Sequence, residues 1–267
     1  MKNELIFLKL GGSLITDKSS SNTALPEVIS GIASELKKIL GQFPEIKWLI
    51  GHGSGSFGHH AASKFNTQDG VLTELEWDGF HQVWQAARNL HEIVMDEFIK
   101  AELPVLSFPP SASIIAENKL IRSWQIDPLA AAVNKGFIPV IYGDVVFDTL
   151  LGGTILSTET LFSHLATRMM PDRILLAGLD QGVFADYPAC KEVISNINLS
   201  NIESLEHLLT TSKQIDVTGG MKSKVQQMLE LVSVIPDLQV YIFSGQNPLN
   251  LERIIMGGKI GTQISRS

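Results

Sequence analysis

The sequence predicts an α/β fold built on a largely parallel central sheet. Three observations carry this expectation. Short β-branched and aliphatic runs alternate with longer segments of helical period, glycines gather directly after the predicted strands, and 44% of the 267 residues are hydrophobic, enough for a substantial core. That length suits one large domain or two intimately packed lobes. With 18% charged residues the chain also lacks the composition of a disordered segment.

In chain order, Leu5 to Leu10 reads as the first strand and ends on Gly11-Gly12. Pro26 to Leu40 reads as a helix: Val28, Ile29, Ile32, Leu36 and Ile39 share a face, Pro stands early and Gly41 follows. Ile46 to Ile50 is the second strand, leading into the glycines of 51–58. Leu75 to Lys100 is a long helix with Phe80, Val83, Trp84, Ala87, Leu90, Val94 and Phe98 on one stripe, closed by Pro104. Val105 to Phe108, Ile138 to Tyr142, Arg173 to Ala177 and Gln239 to Phe243 are further strands. Helices are expected over Pro128 to Lys135, Glu159 to Met170, Ile202 to Leu209 and Met221 to Val232.

The charge balance narrows the function classes. Lys and Arg number 21 against 28 Asp and Glu, a net charge of −7, so no broad basic face for nucleic acid is expected. An anionic ligand must then be held by a local cluster of donors. The single Cys190 excludes an intrachain disulfide and suits a reducing compartment. Glu4 and Lys9 interrupt the N-terminal apolar stretch, and no run reaches the ~18 apolar residues of a membrane helix, so a cytoplasmic protein without membrane attachment is expected.

Four segments carry chemistry. Lys9-Leu10-Gly11-Gly12-Ser13, with Thr16 and Lys18 behind, offers backbone N–H groups, a hydroxyl and two ammonium groups to a polyphosphate. An ammonium at the end of an apolar strand is costly without a partner, which favours a functional Lys9. Gly51 to His60 is a second donor-rich loop, and its Gly53-Ser54-Gly55-Ser56-Phe57-Gly58 also spells the G-x-G-x-x-G of dinucleotide sites, with Glu74 and Glu76 at the spacing of the acidic partner. A nicotinamide-dependent oxidoreductase is therefore the reading from a different class. His52, His59 and His60 have no acidic or cysteine partner nearby in sequence, so no protein-held metal is expected. Asp216 to Lys224 is a Thr-Gly-Gly turn entering a helix, with Lys224 one turn in; Gly143-Asp144 and Gly152 to Glu159 place a carboxylate at a helix start.

Together and in this order, these segments resemble the amino acid kinase superfamily, and within it the isopentenyl phosphate kinases. The resemblance rests on Lys9 to Ser13 with Ile15, Thr16 and Lys18, on Gly53 to His59, on Gly143-Asp144-Val145-Val146 and on Asp216 to Lys224. It implies a three-layer αβα sandwich, usually a homodimer, in which ATP with Mg²⁺ phosphorylates isopentenyl phosphate. By position it implies that Lys9, Gly11, Gly12, Ser13, Ser54, Gly220 and Lys224 contact ATP, with Lys18 near its phosphates and Asp180 in the segment beside the nucleotide. It assigns the acceptor phosphate to Gly53, His59 and Thr158, with His59 as the catalytic histidine, while Lys9, Lys18 and Lys224 serve the transferring group. The acceptor's apolar tail is expected against Phe80 and Trp84 of the helix that follows the loop. The lobes would divide one continuous sheet near Pro171, with residues 1–170 holding the acceptor and the dimer surface and 171–267 the nucleotide. Glu159 stands where the family often has aspartate, Leu179-Asp180-Gln181-Gly182 where it has Asp-Val-Asp-Gly, and His60 where it has proline. Fosfomycin kinases share the glycine loop and its histidine, so a small phosphonate is the alternative acceptor.

Overall fold

The computed structural model describes residues 4–58, 67–186, 188–209 and 220–267. Its frame is an eight-stranded sheet. β1 (Leu5–Leu10), β2 (Lys47–His52), β3 (Val105–Ser107) and β6 (Ile138–Tyr142) share it with β9 (Arg173–Gly178), β10 (Asn196–Asn198), β11 (Gln239–Ser244) and β12 (Thr262–Ser265), in the order β10-β12-β11-β9-β1-β2-β6-β3. Every neighbouring pair runs parallel except β11 with β12. The predicted α/β class with a largely parallel central sheet is thus observed.

Helices cover both faces. Successive strand residues point to opposite sides, so Ile6, Leu8 and Leu10 of β1 join one core and Phe7 the other. The first core is closed by α1 (Gly12–Ile15), α2 (Pro26–Gln42), α3 (Glu74–Lys100) and α8 (Leu249–Ile255); the second by α4 (Asp127–Asn134), α5 (Thr158–Met169) and α7 (Gly220–Val234). α6 is Ile202–Leu209. Trp48, Phe7, Phe98 and Phe162 are among the largest fully buried side chains, each removing an aromatic payload from water on one face or the other. α3 starts at a capping box, in which Thr73 Oγ1 accepts from the Glu76 N–H at 3.3 Å and Glu76 accepts from the Thr73 N–H at 2.8 Å.

A second sheet of four strands, ordered β5-β4-β7-β8, comprises β4 (Ile114–Glu117), β5 (Leu120–Trp124), β7 (Asp144–Asp148) and β8 (Gly152–Leu156). Sequence periodicity did not announce it. Its β7 and β8 face α3 through a small third core of Val71, Phe80, Val83 and Val145, with Trp84 and Ile155 packed against it.

Candidate active site

Because β9, β1, β2 and β6 run parallel, their carboxyl ends open on one edge. Glycines continue the ladder along that edge. Gly245 N–H donates to Gly178 O (2.9 Å), Gly11 N–H to Ala177 O (2.8 Å), Gly53 N–H to Leu10 O (3.0 Å) and Gly143 N–H to His52 O (3.0 Å). The two glycine loops touch through their backbones. A Cβ on Gly12 would stand 2.6 Å from Gly55 Cα, and one on Gly53 would stand 2.8 Å from the Gly12 nitrogen. Gly55 itself has φ +50, and a Cβ there would lie 2.5 Å from Gly12 O, so this junction excludes side chains. Among the described residues, none accepts a hydrogen bond from the N–H groups of Gly12, Ser13 or Ser54. The junction is a cradle of unspent donors, suited to phosphate oxygens.

Beside it lies the charged centre. Lys9 alternates with Leu8 and Leu10 and so shares the face of Phe7, whose ring packs on Phe162 of α5 at 5.2 Å between centroids. Glu159 stands one turn before Phe162 on the same helix face, and there it receives a hydrogen bond and ion pair from the Lys9 ammonium. Lys224, in the first turns of α7, reaches the same Glu159 oxygen at 3.9 Å. Lys9 and Glu159 are each 8% exposed. Burial pushes the Glu159 carboxyl up, but the charges of Lys9 and Lys224, with the Lys9 hydrogen bond, more than offset that and hold it below the ordinary carboxylate range. Two cations are thereby gathered on one carboxylate at the edge of the cradle.

The remaining sequence expectations fall as follows. Gly11, Gly12, Ser13, Gly53 and Ser54 all lie at the junction. Gly220 opens α7 with φ +66. Lys18 is exposed beyond α1, and Asp180 is exposed just past β9. His59, and with it Asp216 to Gly219, lies outside the described residues. Phe80 is 8% exposed and wedged where a Cβ on Gly153 would be 2.7 Å from its ring; Trp84 is half-buried, stacked on His81 with the Arg88 guanidinium 5.8 Å from its ring.

Thr158, expected at the acceptor phosphate, has a side chain 1% exposed whose Oγ1 donates to the His52 carbonyl at 2.6 Å. Its role is to fasten the start of α5 to the end of β2. The dinucleotide reading also loses its acidic partner, since Glu74 and Glu76 sit in the first turn of α3 and Glu76 is spent in the capping box. Sequence reasoning missed His91, which faces His52 inside the protein; the signal was a polar residue beside the apolar stripe of α3.

Residues 4–244 match the model of the Amino acid kinase family. The chain is 31% identical over 269 residues to the isopentenyl phosphate kinase of Methanocaldococcus jannaschii, covering 98% of this chain and 99% of that one. It is 32% identical over 275 residues to the isopentenyl phosphate kinase of Methanothermobacter thermautotrophicus, with the same coverage. A crystallographic isopentenyl phosphate kinase superposes with a TM-score of 0.82 at 29% identity, covering 98% of this chain and all of the other.

Proposed function

Since the chain belongs to the amino acid kinase family, we infer that it transfers the γ-phosphoryl group of ATP to isopentenyl phosphate, yielding isopentenyl diphosphate and ADP, a step of isoprenoid biosynthesis. The observation that carries this reading is the pairing of the glycine cradle with Lys9 and Lys224, because both reactants are anions and the barrier a protein can lower is one of charge and position. An oxygen of the acceptor phosphate attacks the γ-phosphorus in line, and the bond to the β–γ bridging oxygen breaks as ADP leaves. The attacking oxygen is already ionised, so no general base is required.

In this reading Lys9, Lys224 and the N–H groups around Gly11, Gly12, Ser13, Ser54 and Gly220 bind the ATP phosphates, and Lys18 and Asp180 lie on its approach. Gly53 and His59 hold the acceptor phosphate, with His59 a hydrogen-bond donor to it rather than a proton abstractor. The five-carbon tail lies between α3 and the second sheet, against Phe80 and Trp84. Among the described residues no group of three His, Cys, Asp or Glu side chains forms a cation cage, and Glu159 is already engaged by two lysines, which fits an Mg²⁺ ion carried on the nucleotide's own oxygens. When bound, such an ion would supply positive charge to offset the negative charge of the transferring phosphoryl group.

We further propose a cytoplasmic homodimer, with residues 1–170 serving the acceptor and the subunit contact and 171–267 the nucleotide. No described helix is long and apolar enough to cross a membrane. The test is ADP release measured over isopentenyl phosphate, dimethylallyl phosphate, fosfomycin, acetylglutamate and UMP. The highest kcat/KM should belong to isopentenyl phosphate; a higher value for fosfomycin would move the protein to the phosphonate kinases.

A further inference from the structure

We propose that His52 and His91 are positioning residues for the glycine loop: a one-directional hydrogen-bonded chain running from Ser107 through both rings fixes the Gly53 carbonyl and thereby aims the Ser54 N–H at the phosphate cradle. His52 closes β2 and is fully buried; His91 on α3 is 4% exposed. Their rings meet at 3.0 Å (His52 Nε2 to His91 Nδ1), His91 Nε2 lies 2.7 Å from Ser107 Oγ, and His52 Nδ1 lies 3.1 Å from Gly53 O. Tyr142 stacks on His91 at 4.2 Å between centroids and on His52 at 5.4 Å, closing the pair from water.

The carbonyl sets the direction. Gly53 O can only accept, so His52 Nδ1 carries a proton; in a neutral ring Nε2 is then the acceptor, His91 Nδ1 must donate to it, and His91 Nε2 accepts from the Ser107 hydroxyl. Burial keeps both rings neutral, with His52 pushed down to about 4 and His91 to about 2. The chain ends on a carbonyl, which takes no proton, so it orients and does not shuttle. Across the trans 53–54 peptide, C=O and N–H point in opposite directions. With the Gly53 oxygen turned inward to His52, the Ser54 N–H is turned outward, and among the described residues nothing accepts from it. The His52 carbonyl, held by Gly143 N–H and Thr158 Oγ1, keeps the ring's own backbone still.

The kinase reading enters only in naming the phosphates the loop holds. The test uses ¹⁵N-labelled full chain. Two-bond ¹H–¹⁵N correlations should show both rings neutral with the proton on Nδ1; a proton on His52 Nε2 in the neutral ring would overturn the proposal, whatever the variants do. His91→Leu should lower kcat/KM for isopentenyl phosphate at least about tenfold, the scale of a mis-set phosphate donor. His91→Asn, which keeps an N–H donor near the Nδ1 position, should recover to within about threefold of wild type. Inorganic phosphate titrated against the Ser54 amide resonance should bind more weakly in His91→Leu by a similar factor. Folded His91→Leu with unchanged phosphate affinity would overturn the assignment. Absence of turnover in the wild type, with phosphate binding still weakened in His91→Leu, would sink the functional reading alone.

Discussion

Replacing Glu159 by Gln tests the electrostatics of the centre directly. The carboxylate is 8% exposed and is shared by Lys9 and, at 3.9 Å, by Lys224. A unit pair at about 4 Å contributes about 4 kcal/mol at an effective dielectric constant of about 20. The desolvation of three charged groups offsets much of that sum, so the net worth of the cluster is far smaller than two such terms. Removing only the negative member is a different matter. It takes the Glu159 charge away from both Lys9 and Lys224, and removing one member of a buried pair costs about 3–5 kcal/mol. Glu159→Gln should lose that much in urea unfolding followed by circular dichroism. A polyphosphate supplies the missing negative charge, so a non-hydrolysable ATP analogue should raise the melting temperature more in the variant than in the wild type. A loss below about 1 kcal/mol, or a smaller ligand-induced shift in the variant, would show that Glu159 does not organise the two lysines.

Lys9→Ala and Lys224→Ala should each lower turnover at saturating ATP by about two orders of magnitude or more, since each removes a cation from the transferring group; a variant keeping most of its turnover places that lysine outside the site. Gly12→Ala forces a Cβ to 2.6 Å from Gly55 Cα, so the two glycine loops must part, and phosphate binding should fail while the far-ultraviolet spectrum is kept. Burial raises the Asp144 carboxyl from 3.8 to about 6, against the hydrogen bonds from Ser111 and Val145. The native state therefore binds the extra proton between those values, and stability declines as pH rises through that window, by about 3 kcal/mol for a shift of about two units. The stability difference between wild type and Asp144→Asn should fall by that amount from about pH 3 to about pH 7, and a flat difference refutes the burial argument. Phe80→Ala or Trp84→Ala should move the ratio of kcat/KM from isopentenyl toward geranyl phosphate, each added buried methylene contributing about 0.8 kcal/mol; an unchanged ratio in both folded variants returns these rings to the core.

The central sheet was legible because its inner strands are buried on both faces and so read as unbroken apolar runs, as in Ile6 to Leu8 and Ile138 to Tyr142. The second sheet was not. β5 has no buried residue, β4 alternates over four, and β8 begins with Gly152-Gly153. The turn between β4 and β5 is Asn118-Lys119, both with positive φ (50° and 66°), so a lysine stands where the usual hairpin signal has glycine. What holds that turn is remote in sequence: Asp148 accepts from the N–H groups of Asn118 (3.0 Å) and Lys119 (2.8 Å), and also from those of Leu150 and Leu151. No local pattern announces a support that arrives thirty residues later.

The lysines and glycines that the fold gathers at one edge of the sheet were readable from type and spacing, whereas the parts that hold them in place were not, and the start of α5 shows why. Ser157 caps it, accepting from the Thr160 N–H at 3.1 Å, and an acid in the first turn is favoured by the helix's positive end. A capping role alone would account for Ser157-Thr158-Glu159. The fold gives each residue a second partner: the Thr158 hydroxyl holds the carbonyl at the end of β2, and its methyl occupies the space a side chain on Gly51 would need, 2.5 Å from where that Cβ would stand. Glu159 on the next position reaches Lys9 of β1 and Lys224 of α7. One helix start thus ties the glycine loop after β2 to the lysine of β1, so a shift of α5 would displace the two cations and the N–H groups of the glycine loop together, and the longer glutamate is matched to a helix whose position Thr158 and Gly51 set.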